Sequence, residues 1–97
     1  ITFNDPNLYE TMLPSLKRIN GPENVNTMNA VTGAEDFSFF QEKVPGMYFF
    51  IGGTKKGTDP SKAAPHHTPD FYVDDSAMIT GLRSMTTLAL DYLINNR

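Results

Sequence analysis

The run Met47-Tyr48-Phe49-Phe50-Ile51 constrains this chain more than any other stretch, because it is the most apolar segment present. Five unbroken apolar residues predict a strand buried on both faces, as in a parallel sheet with helices above and below. Pro45-Gly46 turns the chain into the run, and Gly52-Gly53 lets it leave sharply. Those two glycines could also bring backbone amides close to a carboxylate, or do no more than turn the chain.

The segments around this run alternate in type. Ile1-Thr2-Phe3 reads as the stub of a strand that Asn4-Asp5-Pro6 stops. Asp5 before Pro6 is a helix-start signal, a carboxylate for the free amides followed by proline at the first helical position. Leu8, Met12, Leu16 and Ile19 then form one apolar stripe, with Pro14 expected to bend or interrupt it and Asn20-Gly21-Pro22 to end it. Val25 to Met28 is a weaker strand candidate with edge-like alternation. Near the end, Asp74-Asp75-Ser76 caps a long helix whose stripe is Met78, Leu82, Met85, Ala89, Tyr92 and Leu93, a spacing expected of core residues. The order helix, strand, helix, strand, loop, helix predicts an α/β fold with helices layered on a small, mostly parallel sheet.

Composition narrows the function classes. At 97 residues the chain is at most one small domain, and its net charge of −3 with eight scattered basic residues gives no reason to expect nucleic acid. There is no cysteine, so neither a disulfide framework nor a thiolate site is available. No apolar run approaches the ~18 residues of a membrane span and no signal peptide is visible, so a cytoplasmic protein without membrane contact is expected. The start at Ile1, inside a strand-like segment, reads as a piece of a longer protein.

Both histidines lie in Pro65-His66-His67-Thr68-Pro69. Proline fixes φ and biases its predecessor toward extended geometry, so the imidazoles sit on a stiffened loop after the apolar run. Imidazole is the commonest metal ligand and the usual base near neutral pH. The residues alone leave open whether these two do chemistry or are exposed loop residues. Gly33-Ala34-Glu35-Asp36-Phe37-Ser38-Phe39-Phe40 carries the other candidates, Glu35 and Asp36, at the start of an expected short helix packed on the sheet. Acidic residues there are favoured by the helix dipole, so capping competes with a catalytic role.

Taken in order, Gly33-Ala34-Glu35-Asp36-Phe37, Val44-Pro45-Gly46, Phe50-Ile51-Gly52 and His66-His67-Thr68-Pro69-Asp70-Phe71 resemble the C-terminal part of the zinc-dependent amidohydrolases. This is the family of aminoacylases and carboxypeptidases, with hippurate hydrolases and indole-acetyl-amino-acid hydrolases as the nearest branch. The resemblance implies a catalytic α/β domain with two divalent metal ions, zinc or manganese, and an inserted lid domain through which a homodimer can form. It implies that residues 1–3 end the last lid strand and that residues 4–97 are the C-terminal portion of the catalytic domain. His67 matches the family's last metal ligand, with His66 as the runner-up. Glu35 is expected to face substrate or metal, and Asp36 to support the ligands from behind. The remaining ligands and the general base would lie outside this chain, so the full-length protein would cleave the amide bond of N-acyl amino acids or small peptides and residues 1–97 alone would not. Two alternatives stay open: a stand-alone α/β binding module, and a hydrolase in which His67, Glu35 and Asp36 form a metal-free acid–base site.

Overall fold

A computed structural model describes residues 1–96, and its architecture is two long helices braced by irregular chain. Helix α1 spans Pro6–Asn20, the one-turn α2 Phe37–Gln41 and α3 Ser76–Asn95, with single 3-10 turns at Pro22–Asn24 and Pro60–Lys62. α1 starts as its residues dictate, with Asp5 Oδ1 accepting from the Leu8 amide at 2.8 Å and Pro6 occupying the first turn. It runs through Pro14, because the amide that proline lacks would have served Glu10, which is exposed and open to water. Gly21 ends the helix at φ 85°, a conformation that costs glycine least, while its amide donates to the Lys17 carbonyl.

The core is the contact between α1 and α3. Met12, Leu16 and Leu88 are buried there, with Leu8, Val25, Met47 and Phe49 packed around them. The interface and its rim also carry polar groups that bond to one another. Ser15 donates to Asp91 Oδ2 at 2.5 Å, Arg18 pairs with the same oxygen at 2.6 Å, and Asn20 donates to the hydroxyl of the fully buried Ser84 at 3.1 Å. The Ser15 hydroxyl, reinforced by the Arg18 guanidinium, holds the Asp91 carboxyl below the usual carboxylate range.

The expected sheet is absent: among the described residues no strand forms, so the α/β layering is not borne out. The segment 47–51 pairs with no second strand. Its Tyr48 backbone is held by a side chain instead, the Asn4 carboxamide accepting from the amide at 2.7 Å and donating to the carbonyl at 2.9 Å. Phe3 is treated likewise by Gln41, whose Oε1 accepts from the amide at 3.1 Å and whose Nε2 donates to the carbonyl at 2.9 Å. Each carboxamide fills the place of one peptide of a neighbouring strand, satisfying the backbone without starting a ladder. The strand expected at residues 25–28 is missing too, and only Val25 of that stretch reaches the core.

The stripe expected as core on α3 is helical in register but faces away from α1. Met78, Leu82, Met85, Tyr92 and Leu93 are all exposed, Leu82 at 65% and Leu93 at 67%. The packed face carries Ser84 and Leu88. α1 presents Ser15 and Asn20 as hydrogen-bonding partners, so α3 meets it with Ser84 and Asp91 rather than with its most apolar side. No helix among the described residues is long and apolar enough to cross a membrane.

Candidate functional site

The chain reaches the histidines through Gly53, whose carbonyl accepts from the Asp74 amide at 2.8 Å. A Cβ on Gly53 would stand 3.0 Å from Val73 Cγ1, so a larger residue there would push the Val73 side chain aside where the segments before and after the histidine loop meet. Between these segments, Asp59 starts the 3-10 turn Pro60–Lys62 by accepting from the Ser61 amide at 3.0 Å.

The loop is then closed on itself. Thr68 Oγ1 donates to the Pro65 carbonyl at 2.6 Å, and the Phe71 amide donates to the Thr68 carbonyl at 3.1 Å. Two consecutive turns therefore set the histidine positions, with no helix or strand involved. Within them the histidines differ. His66 packs its ring edge-on against Phe71, centroids 4.8 Å apart, and lines a cleft of roughly 390 Å³ with Ile51, Ala64, Val73 and Met78. His67 does not line that cleft and has φ 62°, and both residues are exposed. A left-handed backbone is uncommon for any residue with a Cβ, and such conformations concentrate where function fixes them.

The two carboxylates separate in the same way. Glu35 is engaged, its Oε1 accepting from the Phe37 amide at 3.2 Å and its Oε2 from the Tyr48 hydroxyl at 3.1 Å. Tyr48 packs between Phe37, tilted at 43°, and Phe50, edge-on at 81°, with centroids 5.8 and 5.5 Å away, and so ties the start of α2 to the apolar run. The hydrogen bond to the Glu35 carboxylate pushes the Tyr48 phenol above its ordinary value, because ionisation would set two negative charges side by side. Asp36 occupies the N-cap position of α2, but its side chain caps nothing. The short helix is where the sequence places it; α2 packs Phe37 on Tyr48 in place of the expected sheet.

Sequence reasoning missed Tyr48, which it took as one of five equivalent apolar residues. Its phenol was the available signal, since a hydroxyl inside an apolar run needs a partner. Neither carboxylate is hydrogen-bonded to either histidine, so the structure does not assemble the metal-free acid–base site. Among the described residues no three His, Asp or Glu side chains converge on one point. A two-metal centre needs several ligands and an activated water. Among the described residues the chain offers imidazole and carboxylate side chains without such a cluster.

Comparison with known proteins gives one family. The sequence profile of peptidase family M20/M25/M40 matches residues 1–91. The chain is 36% identical over 94 residues to Thermostable carboxypeptidase 2 of Saccharolobus solfataricus, which covers 95% of this chain and 22% of that protein. It is 33% identical over 93 residues to IAA-amino acid hydrolase ILR1-like 4 of Arabidopsis thaliana, covering 96% and 21%. It is 27% identical over 89 residues to Putative amidohydrolase YhaA of Bacillus subtilis, covering 92% and 22%. The chain thus spans about a fifth of the length of the curated relatives it matches. No solved structure matches it significantly.

Proposed function

Since the chain belongs to peptidase family M20/M25/M40, we propose that it is the C-terminal part of a metal-dependent amidohydrolase that cleaves N-acyl amino acids or small peptides. The observation that carries this reading is the family match along residues 1–91, which includes the histidine loop. Relatives named as a carboxypeptidase and as an IAA-amino acid hydrolase support this choice of substrate class. In this reading His67 would give a ring nitrogen to one of two divalent ions, zinc or manganese, whose chemistry when bound would be to polarise the scissile carbonyl and activate water. The left-handed backbone and the hydrogen-bonded turns fix the point from which that ring projects, which reduces the backbone freedom lost on binding. His66 serves the loop by packing on Phe71.

Glu35 and Asp36 take different parts. Glu35 is anchored to Tyr48, which holds its carboxylate beside the start of α2; in this reading that end of α2 faces substrate or metal. Asp36, whose side chain makes no cap, is one candidate to receive an N–H from a liganding imidazole, a role that a backbone carbonyl would fill as well. The other ligands and the general base come from the remainder of a cytoplasmic full-length protein, which pairs through its lid domain. Residues 1–97 alone are therefore inactive.

Chelation tests the reading. Full-length enzyme stripped of metal should lose hydrolysis of a hippurate-like substrate and regain it with zinc or manganese, while residues 1–97 show none under either condition. Undiminished turnover after the metal has been removed would exclude it.

A further inference from the structure

The pair Asn20-Gly21 closes α1, and no other asparagine of the sequence precedes a glycine. With no side chain in the way, the amide nitrogen after an asparagine can attack that asparagine's side-chain carbon, a reaction that makes the residue thermolabile. The turn favours glycine all the same. Gly21 has φ 85°, a backbone that residues with a Cβ rarely adopt.

The folded chain restrains both reacting groups. The nucleophile is the Gly21 nitrogen, whose N–H donates to the Lys17 carbonyl at 2.9 Å. Asn24 holds the other edge of the same peptide, its Nδ2 donating to the Asn20 carbonyl at 2.8 Å. The electrophile is Asn20 Cγ. Its Nδ2 donates to the Leu16 carbonyl and to the Ser84 hydroxyl, both at 3.1 Å. Ser84 belongs to α3 and is fully buried, so a bond between two helices keeps this side chain in place. Closing a ring between nitrogen and Cγ requires the peptide and the side chain to turn toward each other, which breaks these bonds.

We propose that Asn20 is a deamidation site, held unreactive by its hydrogen bonds at the α1–α3 contact and converted when that contact opens. In the open chain the Gly21 nitrogen bonds to Asn20 Cγ and gives up its proton. The Cγ–Nδ2 bond breaks, and Nδ2 leaves with that proton as ammonia. Water then opens the cyclic imide at either carbonyl, leaving aspartate or isoaspartate at position 20. No electrons are exchanged and water is the only added reactant. The product does not rebuild the bond to Leu16: that carbonyl loses its donor and faces a carboxylate, at the end of α1 where the helix dipole disfavours negative charge.

The test follows conversion of Asn20 by peptide mass spectrometry in the full-length protein, held at mildly alkaline pH in native buffer and in urea. Conversion in urea should run at least about tenfold faster, because a reaction that needs opening proceeds in proportion to the open population. Equal rates overturn the proposal, and so does the absence of conversion in urea. Ser84→Ala removes the α3 partner and leaves the reactive pair intact. It should raise the native rate about threefold or more without changing the rate in urea. An unchanged native rate in that variant overturns the part given to the α1–α3 contact. If circular dichroism shows Ser84→Ala unfolded, the exposed Asn24→Ala takes its place, with the same expectation and the same overturning result.

Discussion

At Phe3 and Tyr48 a side-chain carboxamide holds the backbone where a neighbouring peptide could have done so. The Asn4 pair is half-buried and the Gln41 pair is exposed, so their contributions should differ. Losing a partner costs most where water cannot replace it, about 1–3 kcal/mol for a buried polar group. Asn4→Ala is expected to lower stability by about 1–2 kcal/mol and to speed amide exchange at Tyr48, with Gln41→Ala costing less than about 1 kcal/mol. Denaturant unfolding and hydrogen exchange on the two variants check the order, and equal losses would contradict it. Much at this scale was legible. The stiffened loop follows from Pro65 and Pro69, and the Asp5 cap from its place before Pro6. The positive φ of His67 was not legible, since no residue type demands it there. Nor was the engagement of Glu35, because its partner lies 13 residues away.

At the scale of elements, α1 and α3 were readable because period and capping are local properties. Which face of α3 would be buried was not, because that depends on what α1 offers. Ser84 and Asp91 look like solvent-facing residues until Asn20, Ser15 and Arg18 stand opposite them. The Asp91 contact gives this packing a pH dependence. Its carboxyl titrates lower in the folded chain than in the unfolded one, so its stabilisation is present above the unfolded value of about 3.9 and is lost as pH falls through the folded value. Stability should be flat in this contribution from pH 7 to about 5 and fall in acid, and Asp91→Asn should make the acid limb shallower. Unfolding midpoints of both proteins between pH 7 and 3 test this. Parallel acid limbs would show that Asp91 does not link α1 and α3.

At the scale of the whole molecule, the apolar run at residues 47–51 was read as a sheet strand, and the inference failed on partners rather than on composition. A ladder needs a second extended segment with free amides and carbonyls, and the Asn4 and Gln41 side chains occupy those of Tyr48 and Phe3. The family was legible all the same, because its motifs lie in turns and loops whose residues are fixed by local chemistry. The proposed function depends on one of these, the His66-His67 turn. The most direct test is bound metal and turnover measured together in full-length His67→Ala and His66→Ala. Loss of a ligand in the inferred two-metal centre should lower metal occupancy and cut turnover by about a hundredfold or more in His67→Ala. His66→Ala, which removes only the packing on Phe71, should keep both near the parent's level. Full metal content and full activity in His67→Ala would contradict the account, and loss of both in His66→Ala alone would move the ligand to the neighbouring imidazole.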